Sequence, residues 1–498
     1  MLRRLFGIDP RSLALFRAAL AALLLVDLAQ RWSFLYADLS DAGYFPRALA
    51  GATSPLFELH RLSGAPGLAL GLWWLALVAA AALLLGWHTR AATLAALWLT
   101  TSMQERNLLG ADGGDLILRA LLLWGVFLPL GARASLDARR AARARRPEAP
   151  EGADRANAPI LSFASAGLLL QFAFVFAGAG LAKSDPVWRE TGSAVQIALS
   201  QDYWKGLAGD WLLGFPELLR GLAFATVGFE LAGPLLLFSP LATAPLRALG
   251  MLGFCGLMLG LGLGIELNLF PWCASLTTLP FLPAAVWDRL GIGLRSGARD
   301  PERAEARAPA PPARALAARA GQAAAALLLA AVTLANLDAA GLLRVPGISG
   351  ALFSLTGTVQ RWGMYGPAPP PWDPSFAVRG RRAGGGGEEL VLSVPGAAPT
   401  PMLERFSNRY RFKSYLEKHI SLPQGVELRS RVYLGWLCRA LAAGEPDPAR
   451  RYRELSLDFE PHRIDTRGGR PGTLREPEPL RVRRLATQRC SAAQGSSP

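Results

Sequence analysis

Apolar runs of the length that a bilayer-crossing helix needs, about 20 residues, recur through the first two-thirds of the chain. They cover residues 12–30, 67–86, 91–104, 114–131, 159–181, 218–238, 246–265, 269–287 and 320–337. Lipid offers no partners to backbone N–H and C=O groups, so such segments cross as helices, which satisfy those groups internally. The expected fold is therefore an all-α polytopic transmembrane helical bundle of about nine spans, followed by a small α+β extracytoplasmic C-terminal domain. The third run is short. Only Glu266–Asn268 separate the seventh from the eighth, which predicts a tight hairpin or a broken span.

The chain is 51% hydrophobic over 498 residues, yet the apolar runs stop near Asn336–Asp338. That break divides it into a membrane domain (1–338), an outer domain (339–465) and a tail (466–498) that has no periodic apolar pattern and is expected to be disordered. The segments 136–158 and 296–315, rich in Arg, Ala, Pro and Glu, read as linkers. The retained charges Arg17 and Asp27, with no clear small-residue cleavage site, make the first run a span rather than a signal peptide.

The net charge of +15 is placed in a way that argues against nucleic acid. Arg3, Arg4 and Arg11 precede the first run, Arg133 to Arg146 follow the fourth, and Arg289 to Arg314 follow the eighth. With nine spans these basic segments share one side, which the positive-inside rule makes cytoplasmic. The expected location is the bacterial inner membrane, with the N-terminus inside and the C-terminus outside. Of the four cysteines, Cys255 and Cys273 lie in apolar runs, and Cys438 and Cys490 can pair in an oxidising compartment. No C-x-x-C or Cys/His cluster suggests a metal, and none is expected.

Charges inside spans are costly and need a reason. Here they are Arg17, Asp27, Asp115, Arg119, Lys183, Glu230 and Glu266. Residue counts put Arg17 and Glu230 in the inner half and the others toward the outer face. Mutual neutralisation pairs Arg17 with Glu230, and Asp115 with Arg119 four residues on. Lys183 closes the run from Gln171, in which Gly178 and Gly180 admit close approach of a helix or ligand. Read from the residues alone it snorkels to the outer interface near Trp188; buried, it would be a base.

In the outer domain, residues 376–380 and 388–394 read as a β-hairpin, Glu404–His419 and Ser430–Leu441 as helices, and Leu455–Glu460 as a strand. Arg361-Trp362, Arg409-Tyr410 and Arg411-Phe412 read as interfacial anchors.

Several segments together resemble the HTTM (horizontally transferred transmembrane) domain proteins, bacterial relatives of vitamin K-dependent γ-glutamyl carboxylase. They are Phe6 to Arg17; Tyr36 to Arg47; Arg106-Asn107 with Gly114-Asp115; Leu128-Pro-Leu-Gly with Ser135-Leu-Asp137; and Phe176-Ala-Gly-Ala-Gly-Leu-Ala-Lys183 with Trp188 and Gly192. Gln360-Arg-Trp-Gly-Met-Tyr-Gly-Pro367 resembles the family's Q-x-W-x-M-F-x-P segment, which adds Gln360, Trp362, Met364, Tyr365 and Pro367 as candidate residues. Asn408 to Tyr415 resembles an Arg/aromatic helix found after it. The match spans most of residues 1–420.

The resemblance implies that Lys183 is the base that deprotonates a reduced quinone, such as menaquinone or vitamin K hydroquinone. Oxygenation then yields a stronger base that removes a glutamate γ-proton before CO2 adds. Arg17, Asp27, Asn107, Asp115, Arg119, Glu230 and Glu266 are the candidate supporting residues. The carboxylase carries histidines in its core spans; here His60, His88, His419 and His462 all lie outside the runs. The expected partners are the lipid bilayer and a peptide or protein substrate on the outer side. The alternative is a non-catalytic membrane protein that assists maturation or export of a partner. A transporter fits less well, because no inverted repeat is visible.

Overall fold

The computed structural model describes residues 1–51, 54–144, 158–292 and 312–490. Among the described residues its N-terminal part is built on the long helices α1 (Pro10–Trp32), α2 (Pro66–Leu85), α3 (Thr89–Arg106), α4 (Gly113–Phe127), α5 (Phe163–Ala182), α6 (Pro216–Leu237), α7 (Thr243–Gly264) and α8 (Pro312–Ala339). Among the described residues six of these, α1, α2, α5, α6, α7 and α8, are long and apolar enough to cross a membrane. The fold is thus mostly helical, with a membrane-type bundle and a strand-containing C-terminal region.

Helices α3 and α4 differ from the six for visible reasons. Helix α3 turns Thr100, Thr101, Ser102, Gln104, Glu105 and Arg106 into the interior, which lowers its hydropathy. Helix α4 starts at a capping box in which Asp112 and Asp115 bond each other's backbone N–H, and it stops before Pro129, which cannot continue the ladder. The eighth apolar run is not one helix. It breaks into Phe270–Leu276, a 3-10 turn at Leu279–Phe281, and Ala284–Arg289, because Pro280 and Pro283 remove donors from the middle.

Contacts define two ends of the bundle. At one end Arg11 bonds Asp288, Ser12 bonds the Leu282 carbonyl, Arg17 bonds the Ala134 carbonyl, and Arg247 bonds the carbonyls of Arg4 and Leu5. At the other end Asp27, Arg31, Gln104 and Asp115 meet one another, and Asn268 bonds Asp112. Helices α3 and α4 and the broken segment 268–289 therefore run between the same two ends as their long neighbours.

The C-terminal region contains α9 (Pro401–Ser407), α10 (Tyr410–Ser421) and α11 (Val426–Ala443). Strands β1 (Trp372–Asp373), β2 (Phe376–Arg382), β3 (Glu389–Val394), β4 (Tyr452–Phe459), β5 (His462–Ile464), β6 (Arg475–Pro479) and β7 (Arg483–Arg489) make two antiparallel sheets, ordered β3-β2-β4-β7 and β1-β5-β6. Leu455 and Leu457 of β4 alternate inward, with Val378 opposite Leu457. They join Phe406, Phe412, Tyr415 and Tyr433 in a core that also takes Tyr44, Phe45, Tyr203 and Trp204 from the loops of the bundle. The C-terminal region is seated on the bundle through this shared aromatic core.

Three expectations are corrected. The tail is ordered as far as residue 490: β6 and β7 pair with β5 and β4, and a disulfide joins Cys438 to Cys490. The pairing partner in β4 is far away in sequence, so local periodicity carried no sign of it. The expected helix Glu404–His419 is two helices parted at Arg409, whose backbone is extended, while the Asn408 side-chain amide exchanges two hydrogen bonds with the backbone of Gly396. Residues 136–143, expected in a linker, form a short helix capped by Ser135. The second expected linker begins outside the described residues, and from Pro312 the chain is already in α8.

Candidate functional site

Lys183 follows the last turn of α5, and its Nζ donates to Glu230 Oε2 at 2.8 Å and Oε1 at 3.1 Å. The two side chains are 3% and 1% exposed. Lys183 therefore does not snorkel, and Glu230 is paired with Lys183 rather than with Arg17. The pairing follows from small residues at the crossing: a Cβ on Gly180 would lie 3.1 Å from the Glu230 Cβ, so only glycine lets α6 come this near. The indole of Trp188 lies 5.2 Å from Nζ and adds a cation–π contact.

The segment 360–367 closes over the site. Trp188 Nε1 donates to the Tyr365 carbonyl at 3.0 Å, the backbone N–H of Asp185 donates to the Pro367 carbonyl at 3.4 Å, and Arg189 donates to the Lys183 carbonyl at 2.7 Å. Trp362 packs over Gly178, and Met364 packs on the bundle core. Gln360 forms a reciprocal amide pair with Gln171 of α5, and its oxygen also accepts from Asn336 of α8 and from Trp362. Gln360, Trp362, Tyr365 and Pro367 are thus brought against α5 or the segment that follows it.

The charges at the end of the bundle that meets the C-terminal region form a second cluster. Asp115 pairs with Arg411 and Arg31, not with Arg119. Asp27 pairs with Arg31, four residues on, and with Arg411. Gln104 bridges onward, donating to Asp115 at 2.7 Å and accepting from Arg119 at 2.6 Å. Arg119 also reaches Glu105 and the Gly357 carbonyl. A buried arginine takes whichever acceptors surround its fork, and Asp115 already faces two other guanidiniums. Glu266 lies outside this cluster and pairs with Lys413 at 2.6 Å. Asn107 bonds the Tyr44 hydroxyl and the Gly110 N–H. Arg17 is buried at the opposite end, where Gly86 leaves room for its guanidinium.

Sequence reasoning missed Arg31, Gln104, Glu105 and Arg411. Arg31 had a signal, its spacing of four from Asp27. Arg411 was read as a lipid anchor, and it is instead 7% exposed inside the protein. Chemically, the Lys183–Glu230 pair holds a transferable proton out of water, whereas the second cluster is a network of charge-assisted hydrogen bonds between domains. Among the described residues no group of His, Cys, Asp and Glu is arranged to hold a metal. Comparison with family models, curated proteins and solved structures finds no match to the chain.

Proposed function

We propose that this chain is an HTTM-domain membrane protein related to vitamin K-dependent γ-glutamyl carboxylase, with Lys183 as the base of a quinone-coupled proton abstraction or carboxylation. The observation that carries the reading is the buried Lys183–Glu230 pair under Trp188 and the 360–367 segment. Proton-transfer chemistry needs a partnered base, and Glu230 is that partner in a chain whose histidines lie outside the spans. As the free amine, with the pair's proton given up, Nζ would take the proton, and the Glu230 carboxylate, which accepts from it, would hold and orient it.

A reduced quinone such as menaquinone or vitamin K hydroquinone, when bound, supplies the oxygen-dependent strong base. The turn before Lys183 borders a groove of about 110 Å³ lined by Gly178, Leu181, Ala182, Asn336 and Trp362. Its walls are mostly apolar, because the Asn336 amide and the Trp362 indole donate inward to the Gln360 oxygen, and an apolar wall suits the edge of a quinol ring.

We further propose nine crossings in the bacterial inner membrane, with the N-terminus cytoplasmic. Supporting this are the shared ends of α3, α4 and segment 268–289, the three basic segments on one side, and the Cys438–Cys490 disulfide, a bond that persists in oxidising compartments. The test is turnover: purified protein given reduced menaquinone or vitamin K under oxygen yields epoxide, and Lys183→Ala abolishes it. Equal inertness of wild type and variant across quinones overturns the catalytic reading. The second reading, a non-catalytic membrane protein that assists maturation or export of a partner, is favoured by an arginine-lined cleft in the outer region.

A further inference from the structure

That cleft is open, encloses about 1270 Å³, and lies between β1, β5, the loop 465–470 and the start of β7. Four guanidiniums line it, from Arg463, Arg467, Arg470 and Arg483, against the carboxylates of Asp465 and Glu476. Asp465 is already held by Arg467. Among the described residues no carboxylate pairs with Arg463, Arg470 or Arg483, and Arg483 instead lies over the Phe459 ring at 5.7 Å. Between the charges the surface is apolar, formed by Trp372 and Phe459, with Ile420 and Leu480 beside them.

We propose that this cleft docks an extended acidic segment of a partner polypeptide. The cations are arginines without a lysine among them, and the guanidinium fork takes a carboxylate through two parallel hydrogen bonds. Carboxylates alone would leave the aromatic floor in water. A chain that alternates acidic with apolar side chains covers both surfaces at once, as an extended strand does. A bilayer surface is excluded by shape, since a plane of headgroups cannot enter a concave site. A sugar polymer presents hydroxyls, and Ser421 and Thr466 are the neutral hydroxyl side chains of the lining. A second copy of this chain, at net charge +15, carries the wrong sign.

The position matters for the rest of the molecule. Ile464 and Leu474, behind the cleft, pack on Ile197, and Val187 packs on the same cluster next to Trp188. A docked segment therefore lies on the outer side of the element that covers Lys183. The proposal holds whether or not Lys183 performs chemistry.

The test uses the full chain in nanodiscs of uncharged lipid and a labelled peptide of alternating glutamate and leucine, followed by fluorescence anisotropy. Binding is expected to be saturable and to weaken with salt. The exposed triple variant Arg463→Glu/Arg470→Glu/Arg483→Glu should bind about tenfold more weakly or worse, while Arg463→Lys/Arg470→Lys/Arg483→Lys falls between it and wild type. Melting temperatures equal to wild type establish that the variants are folded. Equal peptide binding by wild type and the glutamate variant overturns the proposal. So does saturable binding of dextran sulfate or phosphatidylglycerol vesicles, lost in the glutamate variant, when the peptide does not bind.

Discussion

Arg411 of α10 donates to Asp115 of α4 and to Asp27 of α1, both at 2.6 Å, and so ties the C-terminal region to two helices of the bundle. Removing one partner of a buried ion pair leaves the other charge uncompensated and costs about 3–5 kcal/mol. Arg411→Ala should therefore lower the melting temperature and expose the 357–370 connection to protease. Arg411→Lys should recover only part of the loss, because an ammonium lacks the planar fork that spans two carboxylates. Unchanged melting and proteolysis in Arg411→Ala would show that the aromatic core alone holds the two parts together.

The sequence made the bundle legible because lipid imposes a length on every crossing, and that length survives in the apolar runs. It also marked Lys183, Glu230 and the outer charges, since any charge in such a run is conspicuous. The partners were not legible. Asp115 had Arg119 one turn away on its own helix, yet it bonds Arg31 and Arg411, which the sequence places 84 and 296 residues from it. Strand β7 escaped for the same reason: its order comes from β4 and from Cys438, neither of them local.

The Lys183–Glu230 pair lets stability be separated from the proposed chemistry. Lys183→Met or Glu230→Gln alone should destabilise the bundle, by up to about 3–5 kcal/mol for an uncompensated charge. The double variant Lys183→Met/Glu230→Leu should recover most of that stability, because an apolar pair of similar volume is often neutral. It should remain inactive in the quinone assay. A double variant as unstable as the singles would mean that the pair fixes the crossing of α5 and α6 by itself.

Gly180 tests the same crossing without touching a charge. A side chain there would meet Leu231 at 2.9 Å and the Glu230 Cβ at 3.1 Å. Gly180→Val should push α6 away and cost about 1–3 kcal/mol by overpacking. Gly221→Ala, on the same helix pair but with open space around it, should be close to neutral in melting experiments. Equal effects of the two substitutions would place the close contact elsewhere.

The disulfide between Cys438 and Cys490 closes a loop of 52 residues. The chain-entropy argument gives about 4 kcal/mol for a loop of that size. Reduction, or Cys438→Ala/Cys490→Ala, should loosen β7 from β4 before the bundle melts. Hydrogen exchange at residues 483–489 reads this directly. Protection that persists after reduction would show that the sheet alone retains the strand.

Two buried groups of the C-terminal region give opposite pH dependence. Burial holds the His419 imidazole down at about 3, against an unfolded value of 6.5. Its contribution to stability is therefore present above pH 6.5 and is lost as pH falls. Burial raises the Asp373 carboxyl to about 6 from 3.8, despite hydrogen bonds from the Tyr203 N–H and Arg475. The folded state thus binds that proton more tightly, and this contribution grows as pH falls from 6 toward 3.8. Between pH 7 and 5 the two oppose each other in the wild type. His419→Gln should leave the Asp373 slope exposed and gain melting temperature on acidification, relative to wild type. Asp373→Asn should lose it more steeply. All other titrating groups are common to the three proteins, so parallel melting profiles would exclude both assignments.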